Sequence, residues 1–368
     1  MHLFITLEKF IREVTTLLLK LKKLSVITIF ILALVLTSCT PTPIAPVPNQ
    51  NQPITKSDYI LGTIIDITIY DKQDESIIDK AMARIREIEA KMTINNADTS
   101  EIIALNEAAG KSEVKVSPDT FDVLERAKFY SELTNGLFDP TVGSIVKLWN
   151  IGTEYAAVPD PKVLEEKRLL INNDKLILDR SNLTAKLVDA GMQVDLGAIA
   201  KGYAADEVAK VLKENGVQHA IINLGGNVLT MGGNMQGDPW KIGIQNPFNP
   251  RGDYLGIITI DDKTVVTSGT YERYFEKDGK RYHHILDPRT GYPADNEVAS
   301  VSIITDSSMD ADGNSTSVLL LGLEDGKKFV ESEVGFEAIF VTYDKKVYVT
   351  SGLKDTFILT NSEFTLMD

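Results

Sequence analysis

The sequence predicts an α+β fold with mixed or antiparallel sheets and flanking helices. Strand-like and helix-like stretches mix without strict alternation, unlike a parallel βαβ array. Apolar residues recur at helical spacing from Ile78 through Met82, Ile85 and Ile88 to Met92, directly after a stretch that alternates apolar and polar. Asp278-Gly279 and Asp344-Lys345 join strand-like runs at hairpin distance. The 368 residues suffice for one large domain or two modest ones with a full core, and 43% hydrophobic with 24% charged is globular composition.

Lys20, Lys22 and Lys23 precede an apolar run from Leu24 to Leu36, followed by small residues before Cys39. A basic stretch, a short apolar stretch and small residues make a secretory signal over 1–38. Leu36-Thr37-Ser38-Cys39 resembles a bacterial lipobox, which implies lipidation of Cys39, palmitate included; an uncleaved membrane anchor is the alternative. Cys39 is the one cysteine, so no intramolecular disulfide forms. Residues 39–55 hold a proline-rich stretch that cannot pack and serves as a tether, leaving 56–368 as the folded domain. Formal charge is -14, and the leader carries a net of +3, so the rest stands near -17. A surface that acidic argues against nucleic-acid binding.

Residues 59–70 alternate as a strand, and 77–92 form a helix. A loop then leads to a helix capped by Thr99 or Ser100. Pro118 to Thr134 is an amphipathic helix capped by Ser117 and stopped by Asn135-Gly136. Residues 144–175 carry little pattern. Short strands are predicted at Leu176–Leu178 and Ala185–Asp189, a helix from Tyr203 to Asn215, and strands at Ala220–Asn223, Val228–Met231, Trp240–Gln245, Leu255–Ile260 and Val265–Gly269. Arg281–Leu286 returns across Asp278-Gly279, Ala299–Ile304 follows, and Ile339–Tyr343 with Lys346–Thr350 closes the chain.

The chemistry is placed at 309–317, where Asp310 and Asp312 precede Ser315, Thr316 and Ser317. Gly313-Asn314 reads as a turn, with Asn314 or Ser315 capping a helix that starts there. Asp312 and Thr316 are four apart and point at one spot if the turn winds helically. A carboxylate and a hydroxyl at a helix start suit magnesium holding a phosphate; a solvated acidic loop is the plainer alternative. At 194–202, Val-Asp-Leu-Gly leads into a helix whose start offers free backbone groups, with Lys201 near an anionic ligand or merely glycines easing packing. Leu224-Gly225-Gly226-Asn227 admits a flat ligand close to the backbone and is equally a hairpin turn. The hairpin at 278–279 is expected to bring Thr267, Ser268 and Thr270 near His284, Asp287 and Arg289. His283 and His284 face opposite ways on a strand, so one faces a site while the other is solvated. Serine-hydrolase, P-loop, zinc and dinucleotide signatures do not occur.

Eight stretches, in order, resemble the ApbE family of FAD:protein FMN transferases: 61–63, 138–143, 194–206, 222–227, 240–247, 267–275, 283–293 and 310–318. The resemblance implies an ApbE-like, T-fold-related architecture and magnesium-dependent transfer of FMN from FAD to a threonine hydroxyl, releasing AMP. It also implies lipid anchoring on the extracytoplasmic face of a cell membrane, with extracytoplasmic segments of flavinylated electron-transport proteins as acceptors. It assigns metal ligation to the Ala198 carbonyl, Asp312 and Thr316, flavin-nucleotide contacts to Asp195 and Lys201, and activation of the acceptor hydroxyl to His284. Leu61, Leu137, Phe138, Asp139, Leu224, Gly225, Gly226 and Leu286 are assigned to the FAD pocket. Asn95 stands where many relatives place a tyrosine beside the flavin, and an amide does not stack as a ring does. Weaker FAD retention and leakage to water are therefore expected. The alternatives are an FAD pyrophosphatase using water and a non-catalytic flavin-binding lipoprotein.

Overall fold

A computed structural model describes residues 52–95 and 100–367, together with Arg12, residues 14–16 and Leu18. The Cys39 site and the rest of the predicted leader lie outside the described residues. Arg12, 14–16 and 18 are helical and exposed. Among the described residues no helix is long and apolar enough to cross a membrane.

The fold is α+β, as predicted. Its largest element is a nine-stranded sheet: Ile54–Ile60, Thr63–Ile69, Ala220–Leu224, Asn227–Met231, Thr264–Gly269, Val298–Thr305, Glu337–Thr342, Lys346–Val349 and Thr365–Leu366. Sheet order follows chain order throughout, and every pairing is antiparallel except the last. Such a meander needs only local hairpins and long excursions between neighbours, consistent with the mixed pattern of the sequence.

All eight residues of Val298–Thr305 are buried, because both faces of the sheet are covered there. Val301 and Ile303 pack with Ala311, Val318 and Leu319 of the Ser308–Ser332 helix. Ile304, of opposite parity, packs with Ile339 and Val341 against Ile242 and Ile258 of a three-stranded sheet, Trp240–Gln245, Tyr254–Ile260 and Phe357–Leu359. A third cluster packs helices Glu75–Met92, Pro118–Leu133 and Ala200–Glu214 onto Ile65, Ile67 and Ile222 of the large sheet. The predicted stripe Ile78, Met82, Ile85, Ile88 and Met92 is the face it buries. Ser100 caps Glu101–Glu107 and Ser117 caps Pro118–Leu133. The low-pattern stretch contains helices Gly143–Trp149 and Pro161–Arg168.

Two tight turns lie at one end of the sheet. Leu61 and Gly62 both hold positive φ, at 55° and 70°, in the hairpin preceding Thr63. Gly225 and Gly226, at 67° and 101°, join the next pair of strands, and a Cβ at 225 would lie 2.2 Å from Thr63 Oγ1.

Candidate active site

The strand-to-helix corner is built from side chains that stand in for missing ladder partners. Asn106 accepts from Val194 N at 2.7 Å and donates to Val194 O at 2.9 Å. Asp195 N donates to Pro140 O at 2.8 Å, which seats the Phe138–Gly143 loop beside the corner. The Asp195 carboxylate accepts from Gly197 N at 2.7 Å and bends the chain into its helix. That helix begins at Ala200 rather than Tyr203, since Ile199 N and Ala200 N already bond to Leu196 O.

The acidic stretch differs from the sequence reading. Gly313-Asn314 is not a turn, and neither Asn314 nor Ser315 is a cap. Helix Ser308–Ser332 starts earlier, capped by Ser307, which accepts from Asp310 N. Its start is held from a second helix: Asp206 accepts from Ser308 N and Met309 N, both at 2.9 Å. Gly202 permits this approach, because a Cβ there would meet Ser308 O at 2.2 Å.

The two carboxylates diverge. Asp310 takes a bidentate pair from Arg126, both contacts 2.7 Å, with the guanidinium over the Phe129 and Tyr130 rings. Asp312, only 4% exposed, accepts from Gly202 N at 2.9 Å. Lys201 Nζ stands 3.2 and 3.4 Å from its two carboxylate oxygens and 3.4 Å from Gly197 O. One cation is thus already shared among hard oxygens beside Ala198. The Thr316 hydroxyl, one helical turn on from Asp312, has no hydrogen-bond partner among the described residues. No group of three His, Cys, Asp or Glu side chains suited to a metal occurs among the described residues. A cation here would rest on Asp312, the Thr316 hydroxyl and the Ala198 carbonyl. That donor set fits magnesium, which takes few protein oxygens and keeps waters or phosphate oxygens.

The hairpin forms as predicted, pairing Tyr274–Lys277 with Lys280–His283. His283 is not solvated: it is 4% exposed, with Nε2 on Ala294 O at 3.0 Å. His284 is half-buried, its backbone N donating to Arg273 O at 3.0 Å. Burial, with Arg273 nearby, pushes its imidazole down to about 3. Burial pushes the Asp195 carboxyl up, opposed by the Gly197 amide and the charge of Arg273. The charge of Lys201 bears on both Asp195 and His284, so the corner and the hairpin share one field.

The remaining predicted site residues divide. Thr267 bonds Ser302, Thr270 bonds Tyr343, and Asp287 pairs with Arg289 inside its own turn, so that cluster is dispersed among separate partners. Ser268 instead bonds Ser315 Oγ at 2.8 Å, tying the sheet to the acidic helix. Leu137, Phe138, Leu224 and Leu286 are buried in apolar clusters, while Leu61 is partly buried against the same cluster as Phe138 and Leu224. Asp139 accepts from Thr141 N and Oγ1 at 2.8 and 2.6 Å, and burial pushes its carboxyl up. Asn95 is exposed. Arg126 and Arg273 escaped the sequence reading, because single arginines carry no spacing signal.

A family model described as the ApbE family matches residues 61–340. An FAD:protein FMN transferase of Klebsiella pneumoniae is 38% identical over 320 residues, covering 87% of this chain and 99% of its own. One from Treponema pallidum is 36% identical over 329 residues, covering 85% and 91%. A solved ApbE protein of Thermotoga maritima superposes with TM-score 0.77 at 31% identity, covering 83% of this chain and 99% of its own. The flavin transferase ApbE of Vibrio cholerae gives 0.74 at 29% identity over the same shares.

Proposed function

The chain belongs to the ApbE family, and from that premise we propose that it is a magnesium-dependent FAD:protein FMN transferase. Its substrates are FAD and a threonine hydroxyl on an extracytoplasmic segment of a flavin-bearing redox protein. AMP is released, and Cys39 carries the lipid that holds the enzyme to the membrane, several acyl chains binding where one would not suffice.

The observation that carries this reading is the Lys201–Asp312 contact of 3.2 Å, which brings corner and acidic helix to one cation-holding point. Asp312, Thr316 and the Ala198 carbonyl would ligate the ion. When bound, magnesium supplies charge neutralisation on the transferring phosphoryl group. Asp195 and Lys201 orient the flavin nucleotide, and the Gly225-Gly226 turn lets it approach the backbone. The His284 imidazole, kept neutral by burial, takes the proton of the acceptor hydroxyl. The hydroxyl oxygen bonds to the flavin-side phosphorus, the bond from that phosphorus to the bridging oxygen breaks, and AMP departs with the electron pair.

Incubation with FAD, magnesium and a threonine-bearing acceptor tests this by mass measurement of the acceptor and assay of AMP. A covalent FMN adduct supports it. No AMP release in the presence of magnesium overturns it. Exposed Asn95 favours a second reading, FAD pyrophosphatase, in which water replaces the hydroxyl and AMP appears without an adduct.

A further inference from the structure

Helices Ala200–Glu214 and Ser308–Ser332 satisfy each other's first turns. Asp206 of the first accepts from Ser308 N and Met309 N of the second, both at 2.9 Å, and Ser307 Oγ donates to it at 3.3 Å. In return, Asp312 of the second accepts from Gly202 N of the first at 2.9 Å. Gly202 and Asp206 are one turn apart on their helix, as Ser308 and Asp312 are on theirs. Two ties a turn apart fix both the slide and the rotation of one helix against the other. That relation sets where Asp312 and Thr316 stand opposite the Ala198 carbonyl, just before the first helix.

The start of Ser308–Ser332 has other anchors. Ser307 caps it through Asp310 N, and Ser308 Oγ donates to Asn227 Oδ1 of the large sheet at 2.7 Å. What Asp206 adds is the tie to the neighbouring helix. A carboxylate offers acceptor oxygens to both amides, where a side-chain amide has only one oxygen. Burial pushes the Asp206 carboxyl up to about 6, against the pull of the Met309 and Ser308 amides and with the like charge of Asp310 adding to the rise. No cation pairs with it among the described residues. Arg126 serves Asp310, Arg84 reaches Glu207, and Lys263 pairs with Asp306. The packed strands Ala220–Leu224 and Asn227–Met231 carry no charged residue. The positive end of the second helix is therefore the partner this anion has.

We propose that Asp206 is a positioning residue for the metal: its carboxylate holds Ser308–Ser332 at the register in which Asp312 and Thr316 meet the ion together with the Ala198 carbonyl. This rests on the magnesium-dependent reading of the site, and the test separates the two. Magnesium alone is titrated calorimetrically into the full chain without FAD, for the wild type and Asp206→Asn, at about pH 7.5 and about pH 5.

At the higher pH, Asp206→Asn is expected to bind magnesium about ten- to a hundredfold more weakly than the wild type. At the lower pH the wild-type carboxyl is itself largely protonated, so the two affinities should converge to within about threefold. Equal affinities at the higher pH overturn the role. A deficit of the same size at both pH values also overturns it, because general damage to the fold does not depend on the charge at 206. If Asp206→Asn does not fold, the wild type decides: a fall in affinity of less than about threefold between the two pH values overturns the role. Absence of magnesium binding by the wild type at the higher pH overturns the metal reading itself.

Discussion

Lys201 Nζ lies 3.2 Å from Asp312 Oδ1, although 111 residues separate the two in sequence. The ammonium occupies the space between the Asp312 carboxylate and the Gly197 carbonyl, so the protein holds a cation at this point before any ligand arrives.

Replacing Asp312 should therefore remove metal-dependent turnover. Asp312→Asn keeps an oxygen for Gly202 N but lacks the charge, and magnesium-dependent AMP release is expected to fall on the order of 10²–10³-fold. Thermal unfolding with and without magnesium checks the cause. The wild type should gain stability from the ion and the variant should not.

Lys201→Met leaves Asp312, 4% exposed, without its cation. The metal-free variant should be destabilised by about 1–2 kcal/mol, less than a fully buried pair would lose because the lysine is partly exposed. Magnesium should then raise its melting temperature by more than it raises that of the wild type. Equal increments would refute a shared seat.

His284→Ala should keep FAD bound and reduce FMN transfer by roughly 10²–10⁴-fold. The same residue predicts a stability profile. Its folded pKa, about 3, lies below its unfolded value of 6.5, so the unfolded state binds the proton more readily. The neutral imidazole's contribution is complete above pH 6.5 and is lost as pH falls towards 3. Melting temperatures of wild type and His284→Ala should diverge over that window, the wild type falling faster.

Arg126→Ala should cost stability without silencing the metal response, because Asp310, not Asp312, loses its partner. A charged bidentate contact of this kind contributes about 1.5–3 kcal/mol. Unfolding in urea measures the loss, and magnesium titration should remain near wild type.

Gly202→Ala sets a methyl 2.2 Å from the Ser308 carbonyl oxygen. Helices Ala200–Glu214 and Ser308–Ser332 must separate, at about 1–3 kcal/mol, which also draws Gly202 N away from Asp312. Stability and metal affinity should fall together, unlike in Arg126→Ala.

Much of this fold was legible because it is local. The stripe from Ile78 to Met92, the Ser100 and Ser117 caps and the Asp278-Gly279 hairpin each follow from neighbours a few residues apart. Gly313-Asn314 misled for a related reason. The pair looks like a turn in isolation, yet Gly313 lies against the Tyr130 ring and the surrounding helix is anchored by Asp206, about a hundred residues earlier. His283 likewise looked solvated only because nothing nearby in sequence announces its bond to Ala294.

The order of the motifs, the oxygen chemistry of Asp312 and Thr316 and their four-residue spacing belong to the sequence alone, since period and side-chain type are local properties. Only the tertiary structure decided that Asp310 turns to Arg126, 184 residues away, while Asp312 turns to Lys201. Residues two apart on a helix point to different faces, and which neighbour each face meets depends on how the whole chain packs.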